Sequence, residues 1–192
     1  VIVGAGMVGA SAAKAFVGLG AQVHILDKNI EQLRRVKNTL GDRVTTIYAN
    51  QPAVARTIAF ADVVVTSILN RGAQTPQIIT REMVKKMKHL SVFIDYSVDE
   101  GGASETTRPT LLSDPVYIDE GVIHYCVPNI TSGISRTTSI ALSNVLSKYL
   151  IQIAEMGIDK AMKDSHGLKK GLYTLGGRNM QPVLNRLFGI KI

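Results

Sequence analysis

The sequence of 192 residues has no tryptophan, a single cysteine and no long apolar run. Cys126 cannot form an internal disulfide because it has no partner, and no spacing of cysteine and histidine residues suits a structural zinc ion. Apolar runs such as Val63–Val65 have the size of a strand, whereas a membrane span needs ~20 residues. We therefore expect a soluble protein of a reducing compartment, the cytoplasm, with no metal site and no membrane contact.

The formal net charge of +7 raises the question of nucleic-acid binding. The excess is diffuse, with 12 basic and 8 acidic residues in residues 1–100 and 10 and 7 in residues 101–192. No basic run is interleaved with aromatic residues, as single-strand binders require. We expect no nucleic-acid partner, and we interpret the basic tail, residues 160–192, as a solvated face.

Length and composition predict one globular domain with an appendage. Hydrophobic residues make up 45% of the chain and charged residues 19%, which is typical of a globular protein. Residue 1 is Val rather than Met, and it already lies in an apolar strand pattern. We expect a further part of the protein to precede it.

Short β-rich runs alternate with helical patterns up to residue 98, which is typical of a parallel sheet wound by crossover helices. We predict an α/β fold of the Rossmann type, with a doubly wound, mostly parallel sheet and a C-terminal helical extension. The predicted strands are residues 1–3, 22–26, 44–48, 62–68 and 92–98, and the predicted helices are residues 7–19, 30–40, 52–60 and 81–88.

The pattern changes after residue 98. Residues 99–121 are rich in Gly, Ser, Thr, Pro and Asp without a helical or strand period, which predicts a long loop with a function. A sixth strand follows at residues 122–127, and apolar residues at intervals of three and four predict a helix over residues 137–156. We place a domain boundary between residues 135 and 136, with a sheet domain before it and the long helix and C-terminal segment after it.

The segment from Gly4 to Gly9 has the pattern G-x-G-x-x-G between a predicted strand and a predicted helix. Gly4 allows the tight turn, Gly6 lets a pyrophosphate approach the backbone, and Gly9 lets helix and strand pack closely. The amides at the helix start, at Met7 and Val8, bind the phosphates together with the helix dipole. The pattern predicts a dinucleotide site; the alternative is a glycine turn without a ligand.

Asp27 ends the second predicted strand, where a carboxylate can accept hydrogen bonds from the adenosine ribose hydroxyls. The same charge would repel a 2′-phosphate, which favours NAD over NADP, although Lys28 and the pair Arg34–Arg35 lie close by in the sequence. The alternative role for Asp27 is the N-cap of the second helix, which Asn29 could equally supply.

With this glycine turn and acid, the later motifs of the chain resemble the cofactor domain of the alanine dehydrogenase family. The resemblance covers about residues 1–185, and related transhydrogenase subunits share the domain but match the later motifs less well. The sequence departs from the family at Thr131 and Ser135, where proline is common. The motifs are found at residues 72–76, 95–102 (DYSVDEGG), 105–110 (ETTRPT), 124–129 (HYCVPN) and 136–139 (RTTS).

The resemblance implies that Asp99 is the acid beside the nicotinamide in the substrate site. Its place just beyond a parallel strand agrees with where open α/β sheets bind ligands, and the following Gly101 and Gly102 suggest a pliable loop. The alternative is an ordinary turn residue. The resemblance further implies that Ile68 and Leu69 contact the cofactor through their backbone, that Asn50 lies near the adenine, and that Asn129 and Ile130 meet the nicotinamide.

The resemblance implies the reversible oxidative deamination of L-alanine, in which L-alanine, NAD and water give pyruvate, ammonium and NADH. The substrate-binding N-terminal domain of the family would lie upstream of Val1, so we expect this chain alone to be inactive. We also expect a homo-oligomer, because the long helix presents more apolar surface than the chain can cover. Two alternatives remain: the NAD(H)-binding subunit of a proton-translocating transhydrogenase, and a non-catalytic NAD-binding module.

Three further residues have reactive side chains but unfavourable positions. His24 and His124 lie in predicted strands, and we interpret them as satisfied strand residues rather than acid–base groups. Cys126 is interpreted as a small core residue, because no neighbour in the sequence would activate its thiol.

Overall fold

The computed structural model describes residues 1–70 and 73–184. Gly72 of the motif at residues 72–76 and residues 185–192 of the basic tail lie outside the described residues. The chain forms two compact units, Val1–Ile130 and Thr131–Ile192.

The first unit is built on a seven-stranded sheet in the order β3-β2-β1-β4-β5-β7-β6. Its pairs are parallel except for the antiparallel pair of β6 and β7. This confirms the predicted doubly wound, mostly parallel α/β fold. The strands are β1 (Ile2–Val3), β2 (Val23–Asp27), β3 (Val44–Tyr48), β4 (Val63–Thr66), β5 (Val92–Asp95), β6 (Val116–Asp119) and β7 (Val122–Tyr125).

The direction of winding changes between β1 and β4. Strands β2 and β3 follow β1 to one side of it, and β4 and β5 are added on the other. In open α/β sheets this reversal leaves a crevice at the carboxyl ends of the two central strands. The glycine turn directly follows β1, so the fold places it at that crevice.

In the described residues, four α-helices lie between these strands: α1 (Met7–Gly18), α2 (Ile30–Leu40), α3 (Gln51–Ala59) and α4 (Arg81–Val84). Side chains cap three of them, since Asn29, Asn50 and Thr80 accept hydrogen bonds from N–H groups in the first turns of α2, α3 and α4. The predicted helix over residues 81–88 is wrong beyond Val84. The chain there forms turns that bury Val84 and Met87 on the way to β5.

The predicted loop over residues 99–121 is wrong at its end, where β6 pairs with β7 in a hairpin. Glu120 and Gly121 form the hairpin turn, and both have positive φ angles, 51° and 76°. A two-residue hairpin whose central residues both have positive φ matches the twist of its strands. Similarly, β5 ends at Asp95 rather than at residue 98, because Val98–Glu100 forms a 3-10 helix.

The core fills both faces of the sheet. The side chains of consecutive strand residues are buried on opposite faces of the sheet. Ile25 and Val65 belong to one hydrophobic cluster, whereas their neighbours in the chain, Leu26 and Val64, belong to the other. Strands buried on both faces read as continuous apolar runs, which is why the sequence predicts a parallel sheet here.

The second unit begins with the long helix α5 (Ser135–Met156) and continues with α6 (Ile158–Asp164), α7 (His166–Gly171) and a hairpin of β8 (Thr174–Leu175) and β9 (Arg178–Asn179). The predicted long helix is confirmed. No residue of α5 is buried, although the helix carries many apolar side chains. Within the described ranges, no helix has the length and hydropathy needed to cross a membrane.

Candidate functional site

The turn between β1 and α1 is shaped by two glycines. Gly4 has a φ of 110°, and a Cβ atom there would lie 2.5 Å from the carbonyl oxygen of Ser67 at the end of β4. A Cβ at Gly9 would overlap the carbonyl oxygen of Gly4. Both positions therefore require glycine for the close packing of α1 on the sheet.

Gly6 differs from these two glycines because its surroundings are open. Apart from its neighbours in the chain, no described residue has an atom within 4 Å of a Cβ built on it. Gly6 is also the N-cap of α1 and offers no side chain to the N–H groups of the first turn, where Met7 and Val8 lie. These N–H groups point from the helix start into accessible space, which is the arrangement that binds anions.

Asp27, the last residue of β2, is joined directly to this turn. One carboxylate oxygen accepts the N–H of Ala5 at 2.6 Å, and the other accepts the N–H of Asn29 at 2.7 Å. Asn29 itself caps α2, since its side-chain oxygen accepts the N–H of Glu31 at 2.9 Å. The N-cap is therefore Asn29, and Asp27 instead fixes the glycine turn against β2.

A cleft of about 510 Å³ opens at the carboxyl ends of β1, β2 and β4. Its floor is apolar, with Leu26 and Ala49, and Lys28 lies on its wall. Of the residues predicted to bind the cofactor, it is lined by Gly4, Gly6, Asp27, Ile68 and Leu69.

The other predicted cofactor residues lie outside the lining of this cleft. Met7, Val8 and Gly9 belong to the first turn of α1. Asn50 follows the cleft residue Ala49 and caps α3, its side-chain oxygen accepting the N–H of Ala53 at 2.8 Å. Whether these residues contact a cofactor stays a prediction.

Another cleft, of about 470 Å³, lies at the amino ends of the strands and is lined by Val1, His24 and Phe60 among others. The aromatic ring of Phe60 contacts the edge of His24, with ring centroids 5.3 Å apart. The glycine turn lies at the opposite edge of the sheet, so the cleft beside that turn is the better candidate for a nucleotide site.

Asp99 and Asn129, both predicted to lie near the nicotinamide, are in contact. Asp99 lies in the 3-10 helix after β5, and each of its carboxylate oxygens is 3.1 Å from the backbone nitrogen of Asn129, whose N–H donates to them. Asn129 has a φ of 49°, in the left-handed region that asparagine tolerates better than most residues. Ile130 begins the next 3-10 helix, Ile130–Ile134.

The family model described as alanine dehydrogenase/PNT, C-terminal domain, matches residues 1–182. The chain belongs to this family. It is 42% identical to the alanine dehydrogenase of Bacillus subtilis over 189 residues, which are 98% of this chain and 50% of that enzyme. The predicted family is therefore confirmed, and the chain spans about half the length of the curated relatives it matches.

Solved structures of this family share the fold. An L-alanine dehydrogenase matches with a TM-score of 0.89 and 37% identity, over 98% of this chain and 52% of that one. A transhydrogenase from Sinorhizobium meliloti matches with a TM-score of 0.74 and 28% identity, over 94% of this chain and 48% of that one. Both the TM-score and the sequence identity are higher for the alanine dehydrogenase than for the transhydrogenase.

Sequence reasoning missed the buried polar residues that connect the segments at the carboxyl ends of β4 and β5. Asp95 ends β5, is 2% exposed, and accepts four hydrogen bonds. Ser97 is also buried, and its hydroxyl accepts the N–H of Ile68 at 3.0 Å. The available signal was the presence of polar residues, Thr66 and Asp95, at the ends of two neighbouring apolar strands.

The interpretation of Cys126 as a small core residue is confirmed, and His124, interpreted as a satisfied strand residue, is likewise fully buried. Nδ1 of His124 lies 2.9 Å from the carbonyl oxygen of Val122 and so carries the proton, and Nε2 accepts from the Thr106 hydroxyl at 2.8 Å. The His124 ring stacks on Tyr117, with ring centroids 4.9 Å apart. Burial lowers the pKa of His124 and raises the pKa of the Cys126 thiol to about 11.

Proposed function

We propose that this chain is the NAD-binding domain of an L-alanine dehydrogenase, which converts L-alanine, NAD and water reversibly into pyruvate, ammonium and NADH. The observation that carries the proposal is the likeness to alanine dehydrogenases along nearly the whole chain. The open glycine turn joined to Asp27 supports it, because a dinucleotide needs both an anion site and a ribose acceptor.

The proposed cofactor is NAD, which supplies the hydride acceptor when bound. The N–H groups of Met7 and Val8, at the uncapped start of α1, would hold the phosphates. Asp27 would accept the ribose hydroxyls, since a carboxylate oxygen can accept more than one hydrogen bond. The backbone of Ile68 and Leu69, on the β4 side of the cleft, would contact the cofactor.

Asp99 is the proposed catalytic residue. Its carboxylate is exposed and held by one backbone N–H, that of Asn129, so it keeps the capacity to accept further hydrogen bonds. Beside the substrate, its negative charge would stabilise the cationic imine and the carbinolamine that follow removal of hydride from L-alanine. Asn129 and Ile130 would form the wall on which the nicotinamide rests.

A transhydrogenase function is the second candidate, because a solved transhydrogenase also matches this chain. In that case the domain would bind NAD(H) and pass hydride to another nucleotide, and no amino acid would be turned over. In either case we propose a cytoplasmic location. For the dehydrogenase we propose L-alanine and pyruvate as its small-molecule partners, and a homo-oligomer whose contacts include α5.

The first experiment compares this chain with the complete gene product. Hydride transfer requires the substrate held within about 3–3.5 Å of attack geometry. We propose that an additional substrate-binding domain supplies most of the groups that hold it. The 192-residue chain should therefore bind NADH, measured by fluorescence, without oxidising L-alanine, and the complete product should do both.

The outcomes separate the candidates. Alanine oxidation by the isolated chain at the rate of the complete product would contradict the need for another domain. A complete product that exchanges hydride between NADH and an NADP analogue, and leaves L-alanine unchanged, would support the transhydrogenase. Binding of NADH with neither reaction would indicate a non-catalytic module.

The second experiment replaces Asp99 by Asn in the complete product. The variant keeps the side-chain shape but removes the charge, so kcat/KM for L-alanine should fall on the order of 10²-fold while NADH affinity changes less than about twofold. Asp114→Asn, at another exposed loop acid, is the matched control and should keep normal kinetics. Normal turnover by Asp99→Asn would mean that Asp99 is only a turn residue.

A further inference from the structure

The buried carboxylate of Asp95 is fully occupied by four donors. One oxygen accepts the Thr66 hydroxyl at 2.6 Å and the Ser97 N–H at 2.8 Å. The other oxygen accepts the Ala103 N–H at 2.9 Å and the Thr107 hydroxyl at 2.7 Å. A carboxylate so engaged has little capacity left for a substrate, so any contribution to chemistry must pass through the groups it holds.

These donors close the segment that carries Asp99. Ser97 precedes Asp99 and Ala103 follows it, so Asp95 binds the backbone on both sides of the turn. The turn packs tightly against this carboxylate: Gly102 has a φ of 79°, and a Cβ there would lie 2.5 Å from the Thr107 side chain and 3.2 Å from Asp95. This close contact requires glycine at position 102.

The same network reaches the β4 side of the cleft. Ser97 uses its backbone N–H to bind Asp95 and its hydroxyl oxygen to accept the N–H of Ile68 at 3.0 Å. Ile68 lines the cleft next to the glycine turn. Two hydrogen bonds therefore connect the Asp95 carboxylate with the segment proposed to contact the cofactor.

We propose that Asp95 is a positioning residue, which sets the place of Asp99 relative to the Ile68 segment through its bonds to Ser97, Ala103 and Thr107. The inference rests on the proposed role of Asp99. Small displacements of a reacting group carry large kinetic penalties, about 10²-fold for 1 Å. A buried anchor for the Asp99 turn therefore affects the rate without touching the substrate.

The obvious variant, Asp95→Asn, is a poor test. Each carboxylate oxygen accepts one backbone N–H, from Ser97 and from Ala103, so either orientation of the Asn amide would place its NH₂ group against an N–H donor. Such a conflict in the core threatens folding itself. Thr107→Val is better, because it keeps the side-chain shape and removes one of the four hydrogen bonds.

Thr57→Val is the matched control. Thr57 is a buried threonine in α3, and its hydroxyl donates to the carbonyl oxygen of Ala53 at 2.6 Å within the same helix. The two variants make the same chemical change, and only Thr107→Val touches the Asp95 network. Circular dichroism and thermal unfolding of both variants establish that they fold.

In the complete product, Thr107→Val should lower kcat/KM for L-alanine on the order of 10-fold and change NADH affinity less than about twofold. Thr57→Val should change neither. In the Asp99→Asn background, Thr107→Val should cause no further loss, because the group it positions is gone. The inference would be overturned if Thr107→Val left kcat/KM unchanged. It would also be overturned if Thr107→Val lowered kcat/KM in the Asp99→Asn background by as much as it does in the unmodified protein.

A measurement without substrate keeps this inference separate from the proposed function. The backbone N–H of Asn129 donates to Asp99, so its amide signal in NMR spectra reports where that carboxylate lies. Thr107→Val and Asp99→Asn should both shift this signal, and Thr57→Val should not. If the unmodified complete product fails to oxidise L-alanine, the proposed function fails. An Asn129 signal unchanged by Thr107→Val overturns the positioning role alone.

Discussion

Asp27 has a structural role that precedes any cofactor. Its carboxylate accepts the N–H groups of Ala5 and Asn29, and so it holds the glycine turn at the end of β2. The negative charge of Asp27 stands on the wall of the cleft beside Lys28. A 2′-phosphate placed there would be repelled by the Asp27 carboxylate, which its two structural hydrogen bonds hold in place. The positive charge of Lys28 offsets this repulsion only in part.

We therefore predict that the chain binds NAD(H) more tightly than NADP(H). Calorimetry with both cofactors should show this preference, and Asp27→Ala should weaken NAD binding about 10-fold while narrowing the difference between the cofactors. Asp42→Ala removes an exposed carboxylate that pairs with Lys37 on α2, and it serves as the control. Equal or tighter binding of NADP by the unmodified chain would contradict the prediction.

His124 predicts a pH dependence of stability. Burial lowers its pKa in the folded chain below the unfolded value of about 6.5, so the unfolded chain binds the proton more readily. The stability that the neutral His124 ring contributes is fully present above pH 6.5, and it is lost as the pH falls below that value. The free energy of unfolding should decrease by at most about 1.4 kcal/mol per pH unit from this residue.

Urea unfolding between pH 7.5 and pH 5 measures this slope. His24 also has a lowered pKa and contributes in the same direction, so the unmodified chain is compared with His124→Gln. The variant should be less stable at pH 7.5 because the ring contact with Tyr117 and the bond to Thr106 are altered, and its stability should fall less steeply with pH. If the free energy of unfolding fell equally steeply with pH in the two proteins, His124 would not be the cause of the pH dependence.

Local patterns predict the parts of the site that depend on neighbours in sequence. The glycine spacing places Gly4, Gly6 and Gly9 at the point where a strand ends and a helix begins, without further information. The contacts of Asp95 were beyond such reasoning, because three of its four donors lie far from it in sequence: Thr66 at the end of β4, and Ala103 and Thr107 after the 3-10 helix. Hydrogen bonds between distant segments leave no period in the sequence.

Among the secondary-structure elements, those with a clear apolar pattern were predicted well, and those set by tertiary contacts were not. The helices α1 and α2 and the strands β1 to β3 follow from apolar spacing, because each contributes apolar side chains to the core clusters. Strand β6 was missed because polar and glycine-rich residues surround it, and its pairing with β7 is a tertiary contact. The end of α4 was likewise set by the route to β5 rather than by helix propensity.

Helix α1 offers a paired test of its packing on the sheet. Gly9→Ala would force a Cβ against the Gly4 carbonyl and within 2.8 Å of the Ser67 hydroxyl, whereas a Cβ at Gly18 meets nothing within 4 Å. Gly18→Ala should raise the free energy of unfolding by about 0.5–1 kcal/mol, since alanine favours helix. Gly9→Ala should lower it by about 1–3 kcal/mol through overpacking, and it should weaken NADH binding.

Chemical unfolding of the two variants measures whether the free energy of unfolding rises or falls, and NADH fluorescence measures their affinity for the cofactor. The comparison matters because both changes add one methyl group to the same helix. If Gly9→Ala proved as stable as Gly18→Ala and bound NADH normally, the close approach of α1 to β1 would not be required for the turn.

The chain combines a unit with a filled core and a second unit whose described residues form little core of their own. The first unit buries strands on both faces of its sheet, whereas α5 in the second has no buried residue. Only Arg136, Lys148 and Glu155 carry charge along its 22 residues. A helix with so few charges and so many apolar side chains is typical of one that is covered in the assembled protein.

We predict that α5 makes the chain self-associate through contacts with a second copy. Leu150 is 64% exposed, and further exposed apolar residues, Ile140, Leu142 and Val145, lie on the same helix. Covering such side chains releases about 25 cal/mol per Å² of apolar surface, and in a closed dimer each copy supplies the same patch. Light scattering should therefore detect a dimer or larger species at micromolar concentration.

A charge within the patch tests the contact. Leu150→Glu should shift the chain toward monomer, because an unpaired carboxylate would have to be buried in the contact. Asn144→Glu adds the same charge at a polar, exposed position of α5 and should shift it less. A chain that is strictly monomeric and binds little hydrophobic dye would contradict the prediction, because its apolar helix would then be neither covered by a second copy nor accessible.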